Sequence, residues 1–311
     1  MGIAVIGATM MDIKGYPYGQ FLPAGRNAGR VVHVHGGVAR NIVEDIANVE
    51  LEPTFVTVLD ETGASDDILR KLRRHRVNVD YVRRTKDGLG TWLAVFGSDG
   101  DVVASISQRP NIRPILQILE EHGEEIFRAA DSICVEIDMD KEIIKSVFDL
   151  ADRFGKKVYA SVTNMSVAME RRDLFRWAAC VVCNEQEAEM FFTEDMRGVS
   201  AQKLQELLTR KLAQTGIPAM VVTLGARGAV YAENGGDAGF CAARDVHVVD
   251  TTGAGDSFFA GVAIGLTYGK TLGEACSIGT RLSASVIATR ENVCPRFAPE
   301  EFDICMKESG T

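Results

Sequence analysis

Short apolar runs alternate with longer amphipathic stretches along most of the chain, and this alternation limits the possible folds more than any other feature. Residues 54–59 (TFVTVL) are typical of a buried strand, and in 36–49 the apolar residues recur at the spacing of one helix face. Strands that alternate with helices of this length are typical of parallel pairing through helical crossovers. The pattern therefore predicts an α/β fold in three layers, with a mostly parallel central sheet between helices.

The same criteria assign most of the remaining chain. Further strands are predicted at 2–8, 132–137, 157–162, 178–183 and 219–225. Further helices are predicted at 65–77, 115–130, 141–155 and 200–216, another begins at Gln186, and a hairpin passes through 232–239. Ser65 is expected to be the N-cap of its helix. Residues 246–249 (VHVV) are expected to form a strand or hairpin that leads into 250–256.

Two stretches do not fit the alternating layers. Residues 14–35 are rich in Gly and Pro, and 90–107 has the pattern of a hairpin around Ser98-Asp99-Gly100. They are expected to form a small separate sheet, a lid, within one domain that spans residues 1–311. Because open sheet edges tend to pair with other strands, the sequence predicts a homodimer formed through the lid.

Composition restricts the classes of partner. The chain of 311 residues carries a net charge of −9, which argues against a nucleic-acid partner because phosphate backbones require a basic surface. It contains no apolar run of about eighteen residues, so no membrane span is predicted. The N-terminal sequence is typical of a first strand rather than a signal peptide, which predicts a cytoplasmic protein.

The seven cysteines are scattered and odd in number, unlike the framework of a disulfide-stabilised secreted protein. Cys180 and Cys183 have a spacing found in zinc sites, but no second pair and no histidines accompany them. Residues three apart on a strand point to opposite faces. These two cysteines are therefore expected to be ordinary buried thiols.

Two common nucleotide-binding motifs are missing from the sequence. A P-loop that ended in Gly269-Lys270-Thr271 would require a glycine where the chain has Ile264. After the first predicted strand the chain has GATMMD, with one glycine where a dinucleotide-binding fold requires G-x-G-x-x-G. The sequence thus argues against a P-loop protein and against a nicotinamide dehydrogenase.

Residues 250–256 (DTTGAGD) come directly before a fully apolar helical stretch. Gly253 and Gly255 tolerate backbone angles that other residues avoid. The N–H groups of residues 253–256 are expected to converge at the helix start, where unpaired donors and the helix dipole favour a bound anion. Asp256 lies at the same place, where it can cap the helix or accept a proton from a hydroxyl that attacks the anion.

The string DTTGAGDSFFAGV resembles the C-terminal signature of the ribokinase-like (PfkB) family of carbohydrate and nucleoside kinases. Further matches follow the order of the family: VIGATMMDIKG as first strand with Asp12, HVHGGVARNI, CNEQEAE as the N-x-x-E motif, and VTLGARG as the T-x-G-x-x-G segment. Several ordered matches over nearly the whole chain are far more specific than one motif. The resemblance implies a ribokinase-like fold and an ATP-dependent phosphotransferase.

The resemblance also implies a role for each matched residue. Asp256 would be the catalytic base, and Gly253, Ala254 and Gly255 would hold the transferring phosphoryl group. The substrate would be bound by Asp12, Asn27, Gly36, Gly37 and Asn41, and ATP by Asn184, Thr223, Gly225 and Gly228. Glu187 would hold Mg²⁺ through water, and Asp250 and Thr252 match positions at which relatives hold a monovalent cation such as K⁺.

The sequence leaves the substrate open. The N-terminal region resembles pseudouridine kinases at Asn27 with Gly29 and at Arg40 with Asn41, which favours a nucleoside such as pseudouridine. It departs from them at residues 108–110, where Gln-Arg-Pro replaces their base-contacting Asn-Asp-Met. The alternatives are a kinase of a free sugar or sugar phosphate, and a non-catalytic ligand-binding sensor on the same fold.

Overall fold

The computed structural model describes residues 2–97 and 102–304. Its strands are β1 (Ile3–Ile6), β2 (Met10–Pro17), β3 (Gly29–Gly36), β4 (Thr54–Leu59), β5 (Val82–Arg84), β6 (Gly90–Phe96), β7 (Val102–Gln108), β8 (Ser132–Glu136), β9 (Lys157–Ser161), β10 (Cys180–Asn184), β11 (Ala219–Thr223), β12 (Ala229–Glu233) and β13 (Ala238–Cys241). Its α-helices are α1 (Val38–Asn48), α2 (Gly63–Arg74), α3 (Pro114–Ala129), α4 (Lys141–Phe154), α5 (Met165–Ala168), α6 (Glu185–Phe192), α7 (Ala201–Thr215), α8 (Ala254–Thr267) and α9 (Leu272–Ile287). Short 3₁₀ helices cover Met169–Trp177, Gly225–Arg227 and Pro299–Phe302.

The main sheet has the strand order β13-β12-β11-β10-β9-β8-β1-β4-β5. From β5 to β11 neighbouring strands are parallel, and β12 and β13 add an antiparallel hairpin at one edge. Every residue of β1 is buried, which explains its unbroken apolar sequence. The prediction of a mostly parallel central sheet is confirmed.

Helices cover both faces of this sheet, and the buried apolar side chains fall into a cluster on each face. Helices α3, α4, α6 and α7 pack on one cluster, and α1, α2, α8 and α9 pack on the other. Along β8, Ile133 and Val135 belong to the first cluster and Cys134 to the second, as the two-residue period of a strand requires. The predicted three-layer, ribokinase-like α/β fold is confirmed.

A smaller sheet, the lid, has the order β3-β2-β6-β7. Strands β2 and β6 are parallel, and the two outer pairs are antiparallel. The lid begins at Met10 rather than at residue 14, because MMDIKGYP pairs along its whole length with β3. The predicted turn at Ser98-Asp99-Gly100 lies outside the described residues.

Several local predictions were wrong. The helix predicted to begin at Ser65 begins at Gly63, and the buried Ser65 hydroxyl donates to Asp60 Oδ1 at 2.6 Å instead of capping the helix. Residues 246–249, all of which are described, are irregular rather than a strand. Asp12 belongs to lid strand β2 and not to the first strand. For the helix and for Asp12 the local sequence indicated an element but not its boundary, whereas the strand predicted at 246–249 does not form.

Cys180 and Cys183 are free, buried thiols that belong to opposite core clusters, as their spacing on a strand predicts. Within residues 2–97 and 102–304, no helix is both long enough and apolar enough to cross a membrane.

Candidate active site

The start of α8 is the central feature of the site. The helix begins at Ala254, and its N-cap Gly253 has a φ of 82°, a conformation that L-residues with side chains rarely adopt. A Cβ at Gly253 would also overlap the main chain of Asn292. From Ser257 to Gly265 the helix is buried, so the part of the helix that follows its partly exposed first turn is fixed inside the protein.

Asp45 connects this helix to α1 and to the loop around residue 294. Its Oδ2 accepts a hydrogen bond from Ser257 Oγ at 2.7 Å, and its Oδ1 accepts one from the Cys294 N–H at 2.6 Å. Burial raises the pKa of Asp45 to about 7, while these hydrogen bonds oppose the rise. The contacts fix the position of α1 relative to the first turn of α8.

Asn41 on α1 donates from Nδ2 to Asp256 Oδ2 at 2.7 Å. The Asn41 amide is itself oriented, because its Oδ1 accepts from Arg40 Nη1 at 2.8 Å. Burial raises the pKa of Asp256 to about 6, and the Asp12 carboxylate adds to this rise while Asn41 opposes it. Such a carboxylate is ionised at neutral pH and is a stronger base than an exposed aspartate.

A cavity of about 320 Å³, the lid cavity, opens beside Asp256 under the lid. It is lined by Ala8, Met10, Asp12, Gly37, Val38, Asn41, Trp92, Ser107, Arg109, Pro110, Ile112, Glu136, Asp138, Met139, Thr163, Thr252 and Asp256. Glu136 accepts from the N–H groups of Ala8 at 2.9 Å and Ala39 at 3.2 Å. Burial raises the pKa of Glu136 to about 8, and Asp138 and Asp256 add to the rise. The lining is therefore rich in carboxyl groups.

The lid supplies one wall of this cavity. Asp12, Trp92 and Ser107 are paired in register across β2, β6 and β7, which places their side chains on the same face. Burial raises the pKa of Asp12 to about 6, although Lys14 and Arg40 lower it. This wall combines a carboxyl group, a hydroxyl and the largest aromatic side chain.

The predicted glycine pair lies where β3 meets α1. Gly37 is the N-cap of α1, has a φ of 96° and lines the lid cavity. A Cβ at Gly36 would overlap the Asp12 carboxyl group, so Gly36 leaves the space that Asp12 occupies. The pair thus shapes the cavity around Asp12.

Asn27, the other predicted substrate residue, lies in the loop between β2 and β3. Its amide accepts from the Leu22 N–H at 2.9 Å and donates to the carbonyls of Leu22 at 2.9 Å and Gly25 at 3.2 Å. It is not among the residues that line the lid cavity within the described chain. In this structure Asn27 closes the lid loop, and its role in substrate binding stays a prediction.

A second cavity of about 500 Å³, the C-terminal cavity, lies on the other side of the α8 start. It contains the predicted residues Thr223, Gly225 and Gly228, together with Ala226, Ala243, Arg244, Asp245, Val246, Val248, Thr251, Ala254, Gly255, Phe258, Thr280, Ser283, Ala284 and Ile287. Small side chains predominate in this lining. Thr223 ends strand β11, so the cavity lies at the carboxyl end of the parallel sheet, where α/β proteins usually bind ligands.

The N-x-x-E pair forms a capping box at the start of α6. Asn184 Oδ1 accepts from the Glu187 N–H at 2.9 Å, and Glu187 Oε2 accepts from the Asn184 N–H at 2.8 Å. Asn184 pairs in register with Thr223, which lines the C-terminal cavity. Burial raises the pKa of Glu187, and Asp138 of the lid cavity contributes to the rise. The pair has a structural role that the sequence did not indicate.

Lys14 lies against the residues that were predicted to hold a monovalent cation. Its Nζ is 3.4 Å from Asp250 Oδ2, 3.3 Å from Thr252 Oγ1 and 3.5 Å from Asn292 Oδ1, and its side chain is 2% exposed. An ammonium group already supplies positive charge to these oxygens, so they do not fit an additional K⁺ ion. The sequence did not predict these contacts: the matched stretch VIGATMMDIKG contains Lys14 but does not indicate where its side chain lies, and Asn292 belongs to none of the matched motifs.

The first turn of α8 separates the two cavities. Ala254 and Gly255 line the C-terminal cavity, whereas Thr252 and Asp256 line the lid cavity. The predicted convergence of N–H groups needs one correction, since the Ala254 N–H donates to the Thr251 carbonyl at 3.2 Å. By their position in the first turn, the Gly255 and Asp256 N–H groups are the helix donors available to an anion. The turn can therefore place a base on one side of an anion site.

Comparison with known proteins identifies the family to which the chain belongs. Residues 2–295 match the pfkB family carbohydrate kinase. A guanosine-inosine kinase of Exiguobacterium acetylicum is 30% identical over 93% of this chain and 95% of its own, and a pseudouridine kinase of Escherichia coli is 22% identical over 92% and 90%. An Arabidopsis thaliana ribokinase structure with ribose and ATP superimposes with a TM-score of 0.84 at 21% identity, covering 96% of this chain and 97% of that one. The chain belongs to the pfkB family of carbohydrate kinases, which are phosphotransferases with an alcohol group as acceptor.

Proposed function

We propose that the protein transfers the γ-phosphate of ATP to a hydroxyl group of a nucleoside. The observation that carries this proposal is the first turn of α8, which has Asp256 on the side of the lid cavity and the backbone of Ala254 and Gly255 on the side of the C-terminal cavity. A hydroxyl bound in the first cavity and a polyphosphate bound in the second would meet at this turn.

In the proposed reaction the Asp256 carboxylate accepts the proton of the substrate hydroxyl. The hydroxyl oxygen then forms a bond to the γ-phosphorus, the bond between this phosphorus and the β,γ-bridging oxygen breaks, and ADP leaves. The Gly255 and Asp256 N–H groups donate to the phosphoryl oxygens, where negative charge must be stabilised in the transition state. Asn41 orients Asp256 through its 2.7 Å hydrogen bond.

The C-terminal cavity would hold ATP, with Thr223, Gly225 and Gly228 along its border. The solved ribokinase with bound ATP has the same fold, which supports this assignment. Mg²⁺ would neutralise phosphate charge, and the Glu187 carboxyl group would hold one of its water ligands because hydrogen bonding to Asn184 engages only one of its oxygens. Among the described residues, no group of three or more His, Cys, Asp or Glu side chains could hold a metal ion alone.

The lining of the lid cavity favours a neutral substrate over a sugar phosphate. Among the described lining residues, three aspartates, Asp12, Asp138 and Asp256, face a single cationic side chain, Arg109, so a second phosphate group would be repelled. Buried Arg40 does not offset them, because its guanidinium pairs with Glu44 and donates to the His35 carbonyl at 2.9 Å. Carboxylates are suitable acceptors for ribose hydroxyl groups.

Trp92 favours a nucleoside over a free sugar. Trp92 pairs with Asp12 across two neighbouring lid strands, and both side chains line the cavity. A ribose bound at Asp12 would therefore place an attached base near the indole. Ile112 and Met139 extend the apolar part of the lining. Both the pseudouridine kinase and the guanosine-inosine kinase among the relatives are named for nucleosides, which supports this substrate class.

The test is ADP release, with Mg²⁺ and ATP, across guanosine, inosine, adenosine, pseudouridine, uridine, ribose, fructose and fructose 6-phosphate. We expect nucleosides to be the best substrates. Replacing Trp92 by Ala should lower kcat/KM for the best nucleoside by about 10- to 100-fold, because stacking on an aromatic ring contributes about 1–3 kcal/mol per base.

Trp92→Phe is the matched control and should retain most of the activity, and ribose turnover should be insensitive to both changes. A free sugar or sugar phosphate as best substrate would overturn the nucleoside assignment. Nucleoside binding without ADP release from any compound would instead identify a ligand-binding sensor.

We also propose that the lid joins two copies of the chain. Leu93 and Ile106 pair across β6 and β7 on the face opposite Trp92, and they are 39% and 68% exposed. Val31 on β3 is 62% exposed on the same face. An exposed apolar face on a sheet with open edges is suited to pairing with an identical sheet. Light scattering should show a dimer that Ile106→Glu converts to a monomer, and a monomeric parent protein would contradict the proposal.

A further inference from the structure

Lys14 is a buried charge in an otherwise carboxyl-rich site. It is only 2% exposed, so its ammonium group must be stabilised by protein oxygens rather than by water. Asp250 supplies the negative charge at 3.4 Å, and Thr252 and Asn292 supply neutral oxygens at 3.3 Å and 3.5 Å. The set contains one carboxylate and neutral oxygens, which suits a single positive charge.

These oxygens come from the two segments that shape the α8 start. Asp250 and Thr252 directly precede Gly253, and Asp250 Oδ1 also accepts from the N–H of Thr252 at 2.9 Å and from its hydroxyl at 2.8 Å. The main chain of Asn292 lies against Gly253. The Asn292 amide reaches Asp12 Oδ2 at 3.5 Å. Lys14 therefore connects lid strand β2 to both segments beside the anion site.

We propose that the Lys14 ammonium group replaces a bound monovalent cation in this chain, so that the anion site at α8 is formed without K⁺. An ammonium group and K⁺ carry the same charge and are similar in size, and both prefer a shell of oxygens. Two such charges on the same buried oxygens would repel each other strongly. Lys14 is a positioning residue in this scheme, since it acts through Asp250 and Asn292 and not on the reacting atoms.

This inference rests on the proposed kinase function, but it can be tested by a measurement that requires no catalytic activity. Thermal unfolding is measured for the ligand-free protein in KCl, NaCl and tetramethylammonium chloride at equal ionic strength. The wild-type Tm should be the same in KCl as in the other salts. Because the readout is unfolding, it stands even if no nucleoside is phosphorylated.

Two substitutions of Lys14 distinguish the effect of losing its positive charge from the effect of leaving an empty space. Lys14→Ala removes the ammonium group and leaves room for an ion, so KCl should raise its Tm by about 3 °C or more above the value in tetramethylammonium chloride. Lys14→Met removes the charge but fills the space, so KCl should not raise its Tm selectively. Lys211→Ala is the matched control: this lysine is 16% exposed, pairs with Glu194 at 2.7 Å and lies on α7, away from the site.

With the best substrate of the panel, kcat/KM of Lys14→Ala should fall at least about tenfold in tetramethylammonium chloride and recover in part with KCl or NH₄Cl. A selective rise of the wild-type Tm in KCl would overturn the inference, and so would a folded Lys14→Ala protein that does not respond to K⁺. If Lys14→Ala does not fold, the wild-type comparison and Lys14→Met still decide the question.

Discussion

The lid cavity and the C-terminal cavity share the first turn of α8, yet they are lined by different chemical groups. The lid cavity is lined by Asp12, Asn41, Glu136 and other polar and acidic side chains, several of them buried. The C-terminal cavity is lined mainly by glycine, alanine, serine and threonine. In the proposed phosphoryl transfer, proton removal would require individually positioned side chains, whereas a flexible polyphosphate would require space and backbone donors.

The largest expected effect is therefore that of a side chain in the lid cavity. Asp256→Asn should lower kcat by about 10³-fold, because the amide cannot accept the substrate proton. The shape is unchanged, so nucleoside binding measured by calorimetry should persist. Asp152→Asn, an exposed change on α4, is the matched control and should keep full turnover. Near wild-type turnover by the Asp256→Asn enzyme would contradict the proposed role of Asp256 as the proton acceptor.

The pH dependence offers an independent check on the same side chain. Because Asp256 must be ionised to accept a proton and its pKa is raised to about 6, wild-type kcat/KM should rise with pH below 6 and level off above it.

The same ionisation has the opposite effect on folding stability: it favours activity but destabilises the folded state. A carboxyl group with a raised folded-state pKa stabilises the fold at low pH and loses this contribution as the pH rises through about 6. At neutral pH, Asp256→Asn should thus unfold at a higher Tm than the wild type, and an equal or lower Tm would contradict this.

A smaller effect is expected in the C-terminal cavity, where volume should matter more than chemistry. Ser283→Phe places a ring in the cavity from α9 and should raise the KM for ATP by about tenfold, equivalent to about 1.4 kcal/mol of binding. The KM for the nucleoside should not change. Ser277→Phe, an exposed change on the same helix outside this cavity, is the control. Equal changes in both KM values would show that the cavities are not separate.

The sequence predicted some parts of the site better than others. The segment 250–256 and Asp256 could be predicted because a helix start and its N-cap are properties of neighbouring residues. The hydrogen bond from the Ala254 N–H to the Thr251 carbonyl was not predicted, because it depends on the local turn geometry. The prediction that Ser65 caps its helix was wrong for a related reason: its hydroxyl donates to Asp60 in the preceding loop.

The sequence by itself determined the mostly parallel sheet, the presence of the lid and the helix start that carries Asp256, because periodicity, turn residues and helix starts depend on residues close together in the chain. Only the tertiary structure decided which charges are compensated. Lys14 and Asp250 are separated by 236 residues, and Lys14 and Asn292 by 278. The partner of a buried charge is set by the packing of distant elements, and no local pattern records that contact.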